Sequence, residues 1–265
     1  MQEPVIQISH LNKQYTIYKG EMAQLAGFLF NRKCGERIHA LRDINLSIYQ
    51  GEIVGFVGLN GSGKSTLSRI IAGITHQTSG DVTIQGTASM LSAGVGLDSN
   101  LTGKENIQYK CLLLGFTPQR IREIEQKIID FADIGVYIDQ PLRMYSSGMR
   151  ARLGFAISIH LDPDILIVDE ALSVGDVSFS EKCMERMRAL CQAGKTVIFV
   201  SHSSAQMEKL CSRILWLHKG ECVGYGETQD IMTEYKAFAA QWRGMSAEER
   251  AVCRPTLNEE RRKVL

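Results

Sequence analysis

Gly58-Leu59-Asn60-Gly61-Ser62-Gly63-Lys64-Ser65-Thr66 stands between the short apolar run IVGFV and the apolar, helically spaced run LSRIIAGI. A glycine-rich loop that follows a strand and opens a helix satisfies the pattern G-x-x-x-x-G-K-[ST] in the setting that gives the pattern its meaning. Glycines let successive backbone N–H groups turn inward onto phosphate oxygens, and the start of the helix adds the positive end of its dipole. Lys64 supplies a point charge to the β- and γ-phosphates, and the Ser65 hydroxyl supplies a ligand to Mg²⁺. The competing reading, a glycine-rich turn without a ligand, is disfavoured by the flanking strand and helix.

Further along, Ile165-Leu-Ile-Val-Asp169-Glu170 reads as an apolar strand ending in two adjacent acids. Neighbours on a strand point to opposite sides, so one carboxylate can hold Mg²⁺ while the other faces an attacking water. Asp169 is assigned to the metal and Glu170 to the general base or to orienting the water, a division that suits phosphoryl transfer to water, where catalysis is mostly positioning and charge stabilisation. Taken alone, the pair could also be an acidic strand end in solvent, the weaker of the two readings; the loop at 58–66 favours the catalytic reading further. His202 directly follows the run TVIFVS, which places it at the C-terminal edge of a sheet, where ligands of open α/β folds bind. There it would contact the γ-phosphate or hold the attacking water; without the two motifs a structural role would be the better reading. The other histidines, His160 and His218 among them, have no such setting. These features define a P-loop nucleoside triphosphatase and do not by themselves separate kinases, GTPases and transport ATPases.

The rest of the chain sets the frame. It has 265 residues, 30 Lys and Arg against 29 Asp and Glu, and 44% apolar residues, enough for one large domain or one domain with an appendage. A net charge of +1 gives no electrostatic case for nucleic acid, which usually needs a basic excess on one face. Seven scattered cysteines form neither a C-x-x-C pair nor a zinc spacing and read as reduced thiols. The N-terminal MQEPVIQISH lacks the charged and apolar regions of a secretory signal. No apolar run approaches the roughly 18 residues of a membrane span, so the chain is expected not to cross a membrane.

Short β-branched runs alternate with longer helical stretches, the pattern of an α/β domain with a largely parallel sheet. Strands are expected at Val5 to Ile8, Glu52 to Val57, Val82 to Gln85, Ile165 to Val168 and Thr196 to Val200, with a hairpin turning at Lys219-Gly220. Between the third and fourth of these, Thr102-Gly-Lys-Glu105 forms a capping box, and Thr117-Pro118 starts a second helix with Ile121, Ile124, Ile128 and Phe131 at helical spacing. A helical subdomain, about 100–160, is thus inserted in an α/β core. From about Gln241 the charge density rises, and 241–265 reads as a solvated helical tail.

Tyr145-Ser-Ser-Gly-Met149, running into RARLGFAISIHLDPDILIVDEALSVGD, resembles the signature of the ATP-binding cassette family. In that family the signature of one protomer caps the ATP held by its partner. Ser146, Ser147 and Gly148 match it, with Ser147 replacing a usual glycine and Met149 a usual glutamine. The resemblance runs from about residue 5 to 235, within a cassette domain expected at 1–240. It implies a P-loop nucleotide-binding fold with an inserted helical subdomain and an antiparallel β subdomain. It also places Tyr15 against adenine, Asp176 in the dimer-contacting loop Ala171 to Asp176, and His202 at the switch position. Where the family has a glutamine after a strand, this chain reads SMLSAGVGLDSNLTG, with Ser92 or Ala93 in its place.

That glutamine-free loop, YSSGM and ALSVGD together resemble the branch that exports lipid-linked polysaccharides, and within it the ATP-binding subunits of wall teichoic acid exporters. The polymer follows from the resemblance alone. Residues about 18–38 form an insertion in which Met22, Leu25 and Leu29, with Phe28 and Phe30, make an apolar stripe flanked by Lys19, Arg32 and Lys33. This suits a helix lying against a membrane or a partner, and in the branch a helix at this place resembles a gate; a surface helix packed on its own domain fits equally well. The resemblance thus implies an ATPase using ATP and Mg²⁺, peripheral on the cytoplasmic face of the plasma membrane. Its partners would be a second copy of itself, a polytopic permease and a lipid-linked glycopolymer, with no nucleic acid. The alternatives are a soluble cassette ATPase of DNA repair or translation, and an importer ATPase sharing every catalytic residue.

Overall fold

The short apolar runs IVGFV, ILIVD and TVIFV form strands that are buried almost throughout. The computed structural model describes residues 3–18, 35–91, 96–169, 177–201 and 203–257. In chain order these form β1 (Ile6–Tyr18), β2 (Gly35–Ile48), β3 (Ile53–Val57), α1 (Lys64–Ile71), β4 (Ser79–Ile84), β5 (Ala88–Leu91), α2 (Gly103–Leu113) and α3 (Pro118–Ala132). They continue with α4 (Ser147–His160), β6 (Ile165–Asp169), α5 (Val177–Gln192), β7 (Thr196–Val200), α6 (Ser204–Leu210), β8 (Arg213–His218), β9 (Glu221–Glu227), α7 (Thr228–Gly244) and α8 (Ala247–Val252). The chain divides into two compact units, one of Met1–Tyr49, Val54–Gln85 and Ser203–Leu265, the other of Gln50–Ile53 and Gly86–His202.

In the first unit β1 lies between β2 and β4 in an antiparallel sheet of order β2-β1-β4. β1 buries Ile6 and Ile8 on one face by period-two alternation, and Leu11, beyond an irregularity in the register, is buried as well. β2 begins at Gly35, well before its buried apolar residues from Leu41 onward; residues 36–39 are all exposed and carry no apolar alternation. Tyr18 and residues 35–38, which the expected insertion included, are strand; residues 19–34 lie outside the described residues. β3 runs parallel to β8, with Val57 opposite Trp216, and β8 returns antiparallel as β9. The turn between them has positive φ at both Lys219 (50°) and Gly220 (81°), the backbone whose twist suits a two-residue hairpin.

Helix α7 packs Phe238 and Trp242 against Trp216 and His218 of β8 in a ring cluster with centroids 5.2–5.5 Å apart. Gln241 lies in the last turn of this helix, and beyond α8 Leu257 is buried, its Cδ1 filling the space beside Gly224.

In the second unit β5, β6 and β7 are parallel and adjacent in that order. Ile165 to Val168 are wholly buried, as expected of a central parallel strand covered on both faces. Helices α2, α3 and α4 fill the interval between β5 and β6 around a core that includes Ile107, Ile121, Ile124, Ile128, Leu153 and Ile157. Thr102 and Glu105 form the reciprocal capping box, and Thr117 caps α3 with Pro118 at its first position. Among the described residues no helix is long and apolar enough to cross a membrane.

Candidate functional site

After Val57 the backbone turns back on itself through Gly58 (φ 148°), Gly61 (φ 76°) and Gly63 (φ 107°). A Cβ on Gly58 would overlap the Leu217 carbonyl oxygen, and one on Gly63 would stand 2.7 Å from the Ala40 carbonyl oxygen. Only glycine lets the loop lie this close to its neighbours. The chain enters α1 with the Leu67 N–H on the Gly63 carbonyl at 2.9 Å, and Gly63 offers no side chain to cap the helix start.

Lys64 is only 6% exposed, and its ammonium curls over the loop to donate to the carbonyls of Gly58 (2.7 Å) and Leu59 (3.1 Å). Ser62 is 3% exposed, and its hydroxyl has no hydrogen-bond partner among the described residues. A buried orphan hydroxyl, an uncapped helix N-terminus and a held ammonium are a donor set that fits a chain of phosphates. Ser65 sits exposed on the first turn of α1, where its hydroxyl is free of the core, and Thr66 is half-buried beside it. Leu59 is half-buried, while Asn60 and Gly61 form the exposed tip of the loop.

The loop is also gripped from outside. The Gly220 N–H donates to the Ser62 carbonyl at 3.0 Å, and the Arg42 N–H donates to the Gly220 carbonyl at 2.7 Å. Tyr235 of α7 lies edge-on to Trp216 and interacts through a hydrogen bond with the Gly58 backbone; burial holds its phenol above the ordinary value. Sequence reasoning took Lys219-Gly220 for a hairpin turn only and passed over Tyr235. Neither carries a local signal, since both act through residues far away in the chain.

Tyr15 projects from β1, 39% exposed, with the Lys13 ammonium 5.0 Å from its ring centroid. It pairs in register with the exposed Ile38, so an open aromatic and aliphatic face lies on this sheet.

The other sequence-derived residues belong to the second unit. Asp169 ends β6 half-buried, at the point where the strand leaves its apolar core. Ser146 caps α4, accepting the Met149 N–H at 3.2 Å, and Ser147 stands exposed on the first turn with Gly148 half-buried behind it. This helix start is firmly seated. Tyr145 is buried and its hydroxyl donates to the Tyr137 carbonyl at 2.6 Å, while Arg150 Nε donates to the Leu142 carbonyl at 3.0 Å. Burial pushes the Tyr145 phenol up to about 12, so the hydroxyl stays a donor at any physiological pH. Glu170, the loop Ala171 to Asp176, His202, Ser92 and Ala93 lie outside the described residues.

A glycine cradle between strand and helix, followed by a helical subdomain whose last helix starts on serines and leads into an acid-tipped buried strand, defines an ATP-binding cassette. The chain belongs to the ABC transporter family, whose model matches residues 41–173. It is 47% identical over 245 residues to the teichoic acids export ATP-binding protein TagH of Bacillus anthracis, covering 92% of this chain and 45% of that one. The protein of the same name from Enterococcus faecalis is 49% identical over 233 residues, 86% of this chain and 51% of its own. The chain therefore spans about half the length of these relatives. That of Staphylococcus saprophyticus is 40% identical over 256 residues, 97% of both chains. The fold is that of the ATP-binding cassette MJ0796, solved as a dimer in a post-hydrolysis state bound to ADP and Pi (TM-score 0.70, 23% identity, 84% of this chain and 98% of that one). It is shared with an ATP-binding subunit of an ABC transporter (TM-score 0.72, 20% identity, 94% and 98%).

Proposed function

We propose that this chain binds ATP with Mg²⁺ in the Gly58 to Thr66 cradle and hydrolyses it as the ATP-binding subunit of an exporter of lipid-linked teichoic acid or a related cell-surface polysaccharide. The observation that carries the ATP reading is the buried cradle itself, with Lys64 and the orphan Ser62 hydroxyl turned into it. The export reading is supported by similarity, over nearly the whole chain, to proteins named for teichoic acid export.

In this reading the loop N–H groups and Ser62 bind the phosphate oxygens, and Lys64 leaves the Gly58 and Leu59 carbonyls for the β- and γ-phosphates. Ser65 and Asp169 would hold Mg²⁺, which neutralises charge on the phosphate oxygens. Glu170 takes the proton of a water as the water oxygen bonds to the γ-phosphorus and the bond to the bridging oxygen breaks, leaving ADP. His202 contacts the γ-phosphate or holds that water, and Tyr15 stacks on adenine. Ser146 to Gly148 of a second copy complete each site, with the loop at Asp176 in the contact between copies. The partners are that second copy, a polytopic permease and the lipid-linked polymer, and the chain works peripherally at the cytoplasmic face of the membrane. Residues 19–34, the part of the insertion between the two strands, are the candidate for a gate helix: reversing the charges of Lys19, Arg32 and Lys33 should lower export with ATPase activity intact, and unchanged export would contradict that role.

The test is purification of the tagged protein from native membranes in mild detergent, with ATPase assays with and without lipid-linked glycopolymer. A co-purifying polytopic partner and polymer-dependent turnover are expected. Recovery only in the soluble fraction with ribosomes or DNA would overturn the transport assignment and leave the ATP site standing.

A further inference from the structure

Lys219 lies at the tip of a hairpin, where a lysine side chain is ordinarily solvated. Here its ammonium instead donates to the carbonyls of Arg250 and Ala251, each at 2.7 Å, and of Cys253 at 3.3 Å. These are carbonyls of the last turn of α8 and of its C-cap Cys253, which the helix itself leaves unpaired. His218, one residue earlier, brings Nε2 to the same Cys253 carbonyl at 3.3 Å. The segment after α8 is fastened as well, through buried Leu257 beside Gly224.

One residue on, Gly220 is buried and donates to the Ser62 carbonyl of the phosphate loop. A Cβ at Gly220 would stand 2.7 Å from the Ala40 carbonyl oxygen, so the turn has no slack on that side. Lys219 itself has φ 50°, a conformation uncommon for a residue with a side chain, held in place by the bonds at its two ends. Two consecutive residues thus join the C-terminal helix to the phosphate loop within the first unit.

We propose that Lys219 is a positioning residue for the phosphate loop: by clamping α8 onto the β8–β9 turn it fixes the Gly220 N–H against Ser62 and keeps the cradle in its phosphate-binding shape. The proposal rests on the reading of Gly58 to Thr66 as the nucleotide site. It makes docking of residues 247–257 and ATP binding mutually reinforcing, since a coupling between two sites acts equally in both directions.

The experiment uses the full chain and its Lys219→Met, Lys219→Arg and Arg254→Met variants. It follows amide hydrogen exchange over 58–66 and 247–257, with and without ATP, alongside ATP affinity and turnover at saturating ATP. Lys219→Met should speed exchange in both segments without nucleotide and weaken ATP binding about tenfold, with saturated turnover within about twofold of the parent. Lys219→Arg should restore most of the affinity, because a guanidinium also reaches carbonyl oxygens, and ATP should slow exchange over 247–257 in the parent chain. Faster exchange at 247–257 alone, with 58–66 and ATP affinity unchanged, would overturn the proposal and leave Lys219 a helix cap. So would an equal loss of affinity in Arg254→Met, which removes a neighbouring charge but none of the bonds Lys219 makes to the end of α8. Should Lys219→Met fail to fold, loosening α8 through its capping box with Ser246→Ala and Glu249→Ala must produce the same paired change. A parent chain that binds no ATP would sink the nucleotide reading, while exchange in the two segments would still decide the bracing.

Discussion

Lys64 has two sets of partners to choose between, the carbonyls of its own loop and the phosphates the loop is shaped for. In the present arrangement it holds the loop closed on itself through Gly58 and Leu59, so ATP binding exchanges neutral acceptors for charged ones. Lys64→Ala is expected to weaken ATP binding by about 1.5–3 kcal/mol, roughly 10- to 150-fold, in an equilibrium binding assay. Unchanged affinity would remove Lys64 from the phosphate site. These residues were legible in the sequence because their chemistry is contiguous: strand, glycines, Lys64, Ser65 and helix follow one another. Gly220 and Tyr235 were not, because their contribution is a contact across the fold with no local pattern. A second residue-scale prediction concerns pH. Burial holds the His218 imidazole below its ordinary value against the hydrogen bond to the Cys253 carbonyl and the Glu221 charge, with Lys219 acting in the same sense as burial, and burial does the same for His160 against its bond to the Ala156 carbonyl, with Arg186 and Lys127 adding to it. The unfolded chain therefore takes up protons first, so stability is kept above the unfolded histidine value of about 6.5 and falls as pH drops below it. The thermal midpoint should decline between about pH 7.5 and about pH 5.5, and His218→Gln should flatten part of that slope; a midpoint independent of pH would contradict it.

At the scale of elements, the helical subdomain shows why apolar spacing alone took the reading so far. Ile121, Ile124 and Ile128 fall on one face of α3 and are buried in the core that sequence spacing placed there. Ile128→Ala should cost about 2–5 kcal/mol in chemical unfolding, the cost of removing a fully buried isoleucine, and a loss under about 1 kcal/mol would show that core to be loosely packed. Asn106 was invisible to that reasoning. Buried in α2, it accepts the Asp98 N–H at 2.8 Å and donates to the carbonyls of Asp98, Leu101 and Thr102. The stretch it secures bonds in turn to the approach of α4, through Leu142 N–H on Leu101 and Arg143 N–H on Ser99, both at 2.9 Å. Asn106→Ala should therefore cost about 1–3 kcal/mol through orphaned carbonyls and loosen exchange at 141–149, the approach to the serine-capped start of α4. Strand β2 escaped in part for the opposite reason, since its outer half is exposed and charged, and β5 because four residues make too short a run to stand out.

At the scale of the whole molecule, the serine-capped start of α4 is seated and left exposed, which suits the proposed meeting with the nucleotide site of a second copy. The family was readable from this signature together with the phosphate loop and the acid-tipped strand. The proposed polymer and permease follow only from the likeness of those motifs to one exporter branch, because they are relations to other molecules and no chemistry of this chain's residues specifies them. If two copies close on two ATP molecules, blocking hydrolysis should trap the closed pair, and Glu170→Gln should sediment as an ATP-dependent dimer where the parent chain does not persist as one. The measurement that bears most directly on the central claim pairs equilibrium ATP binding with steady-state Mg²⁺-dependent hydrolysis in the parent chain and in Glu170→Gln. The account predicts ATP affinity within a few-fold of the parent and turnover lowered by roughly 100-fold or more, as expected when a general base is lost. Near-normal turnover in Glu170→Gln, or a parent chain that neither binds nor hydrolyses ATP, would contradict it.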